Sequence, residues 1–227
     1  NYWNYIYILR KRKSKEIFEK SILLTASESA KERIIGIDVL AQFGHPGLHK
    51  KVILKKYFHL LKKETDQDAL SSILYGIGHN NESLTAEQLD VICSFREHKS
   101  SAVRAGVAWA LGSKDEPNAI QTLITLNKDK NPQVRDSATF SLACQTALDT
   151  EDLRAALWER VHDKHDGPKF EAIFGLAIRK DRRIKETIIT ELEDIDELGS
   201  QILEAIEAFN DKAFIPLLEK KIKINKL

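Results

Sequence analysis

The sequence predicts an all-α fold, a right-handed α-solenoid of about six helical hairpins that forms a single domain over residues 1–227. Three observations predict this fold. A pattern recurs every 30 to 37 residues, apolar positions within each copy follow the helical period, and the 10 Gly and 5 Pro are too few for a turn-rich β fold. One hairpin cannot bury its apolar face alone, whereas stacked hairpins bury a continuous core.

Each copy is clearest around one marker position on its second helix. The three strongest copies are VRAGVAWALG (103–112), VRDSATFSLA (134–143) and PKFEAIFGLA (168–177), with Arg104, Arg135 and Lys169 as markers. Weaker copies put Arg33, Gln67 and Gly199 at the marker, so that successive markers lie 34, 37, 31, 34 and 30 residues apart. Apolar or small residues recur one residue before the marker and three, six and seven residues after it, which places them on one helical face.

A first helix is predicted before each marker. Apolar residues with helical spacing occupy 86–95, 119–126, 153–161 and 183–192. Turn and stop signals separate the helices at 44–47, 79–81, 131–132 and 166–168, where Gly, Pro, Asn and Asp concentrate. Each copy therefore predicts a helix–turn–helix unit.

This pattern resembles the HEAT repeat, in the short form also found in phycobilisome-lyase-type proteins, over about residues 14–224. The stretches FEAIFGLAIRKDRRI (170–184) and LEAIEAFNDKAFIPLL (203–218) are similar to bacterial HEAT-repeat proteins encoded beside Rhs-type toxin loci. The resemblance implies a non-enzymatic scaffold or adaptor whose partner is another protein. The second similarity implies a role in neutralising a toxin, by analogy of fold.

The resemblance also implies a structural ladder that links the markers to acidic residues in the turns. Asp129 lies six residues before Arg135, and Asp163 lies six residues before Lys169. The alternative is that the marker cations contact a ligand. Arg104 and Arg135 can form a bidentate pair with a carboxylate, whereas the single ammonium of Lys169 cannot.

Large aromatic residues occupy the fifth position after the marker in the three central copies. Trp109, Phe140 and Phe174 stand about 150° around the helix from the middle of the core stripe, at about 100° per residue. We expect this position to face the concave side of the solenoid. The three rings then form either a strip that binds a partner, together with Asp136, or a packing contact between neighbouring second helices.

Two further functions stay open from the sequence. A HEAT-like nucleic-acid-binding or DNA-repair protein would use Trp109 and Asp136 at a damaged base, and a chromophore lyase follows from the family resemblance alone.

No catalytic motif is present, so we expect no catalytic residue and no cofactor. His162 and His165 are the strongest metal candidates, but they lie in a predicted turn without a second ligand pair, so no metal site is expected.

Charge is distributed unevenly along the chain. Residues 1–63 contain 14 Lys and Arg and 5 Asp and Glu, a net charge of +9, whereas residues 64–227 contain the other 21 and 29, a net charge of −8. This split predicts a basic end and an acidic end. The total of +1 and the acidic larger part argue against a specific nucleic-acid partner, because phosphates would be repelled.

Residues 1–13 combine aromatic and basic side chains. The run YWNYIYIL (2–9) is followed by four basic residues at 10–13, which fits a cap on the first repeat or a juxtamembrane segment. The second interpretation implies membrane association through a missing N-terminal segment.

The two cysteines, Cys93 and Cys144, form no disulfide or metal framework, which predicts a cytoplasmic protein.

Overall fold

The computed structural model describes residues 1–44, 47–194 and 200–225, and in these ranges the chain is helical without any strand. The helices are α1 (Tyr2–Lys11), α2 (Lys15–Leu24), α3 (Ala30–Ala41), α4 (Lys50–Leu61), α5 (Gln67–Gly78), α6 (Ala86–Cys93), α7 (Ser101–Ala110), α8 (Pro117–Leu126), α9 (Pro132–Cys144), α10 (Glu151–Trp158), α11 (Asp166–Ile178), α12 (Lys185–Glu193), α13 (Ser200–Phe209) and α14 (Ile215–Asn225). Short 3₁₀ helices cover Asn81–Ser83, Arg182–Ile184 and Lys212–Phe214. The predicted all-α fold class is confirmed.

Twelve of these helices follow one another in chain order as six successive pairs within the described ranges. The pairs are α2 with α3, α4 with α5, α6 with α7, α8 with α9, α10 with α11, and α12 with α13. Helices α6, α8, α10 and α12 coincide with the four predicted first helices. The α-solenoid architecture of helical hairpins is therefore confirmed, while the sixth marker, Gly199, lies outside the described residues.

Two compact units make up the chain, residues 1–138 and residues 139–227, with the division inside α9. In the first unit the second helices pack in series, α3 on α5 and α5 on α7, and α1 packs on α3. In the second unit α11 packs on α13, and α10 packs on α11. The single domain expected over residues 1–227 stays a prediction.

Local sequence explains where the helices begin. Thr85 and Gln88 form a reciprocal capping box at α6, and the Asp66 carboxylate accepts hydrogen bonds from two backbone amides at the start of α5. Pro117 occupies the first turn of α8, where a missing amide proton costs nothing. These residues satisfy donors that a helix start would otherwise leave without partners.

Small residues let the paired helices approach closely. In the first unit Tyr57 is fully buried, and its hydroxyl donates a 2.7 Å hydrogen bond to the carbonyl oxygen of Ile37. A Cβ atom on Gly76 would lie 2.6 Å from the Tyr57 ring, so α5 needs glycine there. In the second unit a Cβ on Gly175 would lie 2.6 Å from the Cβ of Ala143.

None of the helices in the described ranges combines the length and the apolar character needed to cross a lipid bilayer. Helix α1 carries the aromatic and basic residues of the 1–13 segment and packs on α3. The cap and the juxtamembrane interpretations of residues 1–13 both stay predictions.

Candidate functional site

The marker arginine of α7 is held by a carboxylate from the turn that follows α8. Arg104 donates to the two oxygens of Asp129 at 2.6 and 2.8 Å, and its Nη1 also donates to the carbonyl oxygen of His98 at 2.7 Å. The side chains of the pair are only 8 % and 10 % exposed. Burial alone would raise the pKa of Asp129, but the hydrogen bonds from Arg104 hold this pKa below its usual value.

Other markers use their cations in related ways. Arg33 forms the same bidentate pair with Glu64, at 2.7 and 2.8 Å. Arg135 donates to the carbonyl oxygen of Asp129 at 2.9 Å. Asp129 therefore connects two successive markers, one through its carboxylate and one through its backbone.

In the second unit the Lys169 ammonium lies 2.9 Å from Glu191 and 3.4 Å from Asp166. Asp163 accepts hydrogen bonds from the Arg160 guanidinium at 3.1 Å and from the backbone amide of His165 at 3.0 Å. The carboxylate that reaches Lys169 from the next hairpin thus comes from α12. A lysine ammonium needs only one acceptor, so Lys169 can pair with a helix carboxylate, Glu191, where Arg104 pairs with a turn carboxylate.

Trp109 packs against the preceding second helix. Its ring is half-buried, with its centroid 6.0 Å from the Tyr75 ring and 5.6 Å from the His79 ring, both on or beside α5. A Cβ on Gly78 would overlap the indole, which explains the glycine there. The indole Nε1 is buried without a hydrogen-bond partner among the described residues. This geometry favours the packing interpretation of Trp109, and its partner-binding role stays a prediction.

The other candidate residues of the aromatic strip are also half-buried. Phe140 and Phe174 lie on α9 and α11 in the second unit, whereas Trp109 and Asp136 lie in the first. Burial raises the pKa of Asp136 above its usual value. A continuous strip over the three aromatic residues therefore stays a prediction.

Sequence reasoning missed a pocket that α1, α3 and α5 form in the first unit. It has a volume of about 450 Å³, and its lining includes Tyr2, Trp3, Arg10, Asp38, Tyr75 and His79. Asp38 stands at the same repeat position as Trp109, and so does Ser72, which also lines the pocket. The polar residues at this position were the signal in the sequence, because they replace the aromatic side chains of the central copies.

A hydrogen-bonded network crosses this α1–α3–α5 pocket. The Tyr2 hydroxyl donates to Oδ2 of Asp38 at 2.7 Å. Arg10 donates through Nε to the Asp38 carbonyl oxygen at 2.8 Å and through Nη1 to Oε1 of Gln42 at 2.9 Å. Gln42 Nε2 in turn lies 2.9 Å from Nδ1 of His79. Three helices are thereby connected by polar groups that lie beside an open space.

Burial controls the ionisation of this network. Desolvation raises the pKa of Asp38 above its usual value, although hydrogen bonds from Tyr2 and Ser72 and the charge of Arg10 oppose the rise. Burial and, secondarily, the positive charge of Arg10 lower the pKa of His79 to about 4. His79 is therefore neutral at pH 7 and can accept the hydrogen bond from Gln42.

The neutral state of His79 predicts a loss of stability in acid. A histidine in the unfolded chain has a pKa near 6.5, whereas folded His79 has a pKa of about 4, so the unfolded state binds more protons between these values. The free energy of unfolding should therefore fall as the pH decreases from 6.5 to about 4. Chemical denaturation across this range, for the wild type and for His79→Gln, measures the effect. The variant should lose less stability over the range, and equal losses would contradict the assignment.

The sequence of this chain is similar to a known family and to known proteins. A family model described as HEAT repeats matches residues 54–143 and 89–177, which together span more than half of the chain. Protein YibA of Escherichia coli strain K12 is 34% identical over 121 residues, and the same protein of strain O157:H7 matches equally. These matches cover 53% of this chain but only 42% of each YibA sequence.

A solved structure is similar over a longer part of the chain. The X-ray structure of E. coli YibA superposes with a TM-score of 0.74 and covers 96% of this chain and 79% of the YibA chain. The sequence identity in this superposition is 23%, so the likeness concerns the fold.

Proposed function

Because the chain belongs to the HEAT-repeat family, we propose that it is a non-enzymatic scaffold that binds another protein through the α1–α3–α5 pocket. The observation that carries this proposal is the composition of the pocket. Aromatic rings of Tyr2, Trp3 and Tyr75 stand beside the cation of Arg10 and the carboxylate of Asp38. Tyr, Trp and Arg are the residues that most often dominate the energy of protein–protein binding.

The exposure of the aromatic residues supports a macromolecular partner. Tyr2 is 40% exposed and Trp3 is 59% exposed, and both belong to α1, which borders the pocket. Their burial by a partner would remove apolar surface from water. The network around Asp38 holds Tyr2 and Arg10 in place before binding, which lowers the entropy that binding costs.

A substitution that fills the pocket tests this proposal. Ser72→Arg places a long cation in the pocket lining, and Ser94→Arg is the matched control because Ser94 is exposed on the turn after α6. The wild type and both variants are used as bait in extracts of the cells that encode the protein, and quantitative mass spectrometry identifies the proteins recovered. We expect a partner that the wild type and Ser94→Arg retain and Ser72→Arg loses. Equal recovery with all three chains would overturn the use of this pocket.

The finer form of the proposal is that the partner is a toxin. It rests on the resemblance of residues 170–184 and 203–218 to HEAT-repeat proteins encoded beside toxin loci. A partner recovered as above would then inhibit growth when it is expressed alone. Co-expression with the wild-type chain should restore growth, and co-expression with Ser72→Arg should not.

The nucleic-acid alternative receives less support from the position of Trp109. Stacking on an extruded base needs a free ring face. The indole instead packs on Tyr75 and His79, and its Nε1 is buried. Trp109 therefore serves a contact between helices in the protein as it stands.

A further inference from the structure

A second concave surface lies between first helices of the repeats, α4 and α6, and is separate from the α1–α3–α5 pocket. This α4–α6 groove has a volume of about 510 Å³. Its α4 side carries Lys51, Lys55, His59 and Lys62, whose spacing of four, four and three residues places them along one helical face. The opposite side consists of Ser83, Thr85 and Gln88, and Leu54 and Phe58 form the apolar part of the lining.

The lysines of the groove have no carboxylate partners in the part of the chain that the structure describes. Lys51, Lys55 and Lys62 are exposed, and the groove lining contains no Asp or Glu. The neighbouring Lys50, in contrast, pairs with Glu82. Because no acidic residue neutralises the lining, the groove presents a local positive charge to an incoming ligand.

The apolar part of the lining distinguishes among acidic ligands. Leu54 is 6% exposed and Phe58 is 8% exposed, so the lower part of the groove presents hydrocarbon. Single-stranded nucleic acids bind through a cationic track and accessible aromatic rings on which bases stack. The lining offers one phenyl ring, Phe58, so successive bases would find no series of phenyl rings on which to stack. A protein segment that combines carboxylates with an apolar anchor matches both the rim and the apolar lining.

From this arrangement we propose that the α4–α6 groove binds an acidic amphipathic segment of a partner protein. Carboxylates of the segment pair with Lys51, Lys55 and Lys62, and an aliphatic or aromatic anchor rests on Leu54 and Phe58. The three lysines extend over about 17 Å along α4, at about 1.5 Å per residue. A helical segment of roughly 12 residues spans that length. This surface is independent of the pocket on the second helices, so the two proposals can fail separately.

Direct binding of a defined peptide tests the groove. The probe is a fluorescein-labelled peptide of roughly 12 residues, with Glu on one helical face and Leu on the other. A matched peptide has Gln in place of every Glu, and an oligo-dT strand of equal net charge is the nucleic-acid probe. Fluorescence anisotropy near physiological ionic strength gives each affinity for the full chain.

Two charge-reversal variants separate a specific site from general attraction. The groove variant combines Lys51→Glu, Lys55→Glu and Lys62→Glu. The control combines Lys31→Glu, Lys99→Glu and Lys130→Glu, which are exposed lysines outside the groove and change the net charge equally. We expect the groove variant to bind the Glu peptide about tenfold more weakly and the control to stay within about twofold, because only the first set reverses charges at the contact.

Each other result overturns the proposal. Equal losses of affinity for the Glu peptide in the two variants would show attraction to net charge alone. Equal affinity for the Gln peptide would show that the groove does not recognise carboxylates. Tighter binding of the oligo-dT strand would assign the groove to nucleic acid. Absence of binding by the Glu peptide to the wild-type chain would also contradict it. Circular dichroism of both variants confirms that the helical fold is retained.

Discussion

Replacing Trp109 with alanine is expected to lower the free energy of unfolding by about 3 kcal/mol, the low end of the range for truncating a buried tryptophan. The physical reason is the contact between α7 and α5. The indole fills the space beside Gly78 and touches the rings of Tyr75 and His79, so its removal leaves a cavity between two second helices. The lower end applies because the ring is half-buried. Urea denaturation followed by circular dichroism measures the change.

Tyr5→Ala is the matched control for this experiment. Tyr5 is an aromatic residue of α1 that is 67% exposed, so its truncation should change the free energy of unfolding by less than about 0.5 kcal/mol. Equal stability of Trp109→Ala and the wild type would contradict the packing interpretation. Trp109 would then return to the partner-binding strip that the sequence left open.

Replacing Asp129 with alanine is also expected to cost about 3 kcal/mol, because the change leaves the guanidinium of Arg104 buried without its counter-charge. Both hydrogen bonds at 2.6 and 2.8 Å are lost, and the Arg104 side chain is only 8 % exposed. The backbone amide of Asn131 also loses its bond to the Asp129 carboxylate. Urea denaturation near pH 7, where Asp129 is ionised, measures the loss.

Glu19→Ala supplies the comparison for an ion pair at the surface. Nζ of Lys15 lies 3.7 Å from Oε1 of Glu19, and the two side chains are 86% and 59% exposed. Exposed pairs of this kind contribute at most about 1 kcal/mol. If Asp129→Ala loses no more stability than Glu19→Ala, the pair between Arg104 and Asp129 is not a structural link between hairpins.

The helices and hairpins could be predicted from the sequence because they depend on local order. Apolar residues recur with the helical period around Arg104, Arg135 and Lys169, and turn residues separate the copies. The ladder implied by the resemblance joined Asp129 to Arg135. In the structure the Asp129 carboxylate pairs with Arg104, and Arg135 donates to the Asp129 carbonyl oxygen. In a repeat protein each copy contacts its neighbours, so residues about 30 positions apart in the chain can meet.

The environment of Trp109 could not be predicted from one helix alone. The angle of about 150° predicts that the residue points away from the core of its own hairpin. It does not reveal that α5 lies on that side and offers Gly78 and Tyr75 as a packing surface. A helical wheel describes one helix, whereas the burial of this residue is decided by the neighbouring second helix.

The polar repeat positions mark the pocket in the sequence, but the contacts that form it could not be predicted for a related reason. Tyr2 and Asp38 are 36 residues apart, and Gln42 and His79 are 37 residues apart. These pairs depend on the packing of α1 on α3 and of α3 on α5, and α1 carries no clear copy of the repeat. The low pKa of His79 likewise arises from burial that only the packed helices create.

Site-specific photocrosslinking tests the central claim, that the α1–α3–α5 pocket binds another protein, most directly. A p-benzoylphenylalanine at position 72 reports contacts within the pocket, and the same residue at position 94 is the control on the turn after α6. Irradiation is done in the cells that encode the chain, and adducts are identified by mass spectrometry. We expect a protein adduct of defined mass from position 72 that is absent from position 94. Identical adducts from both positions, or none from position 72, would contradict the account.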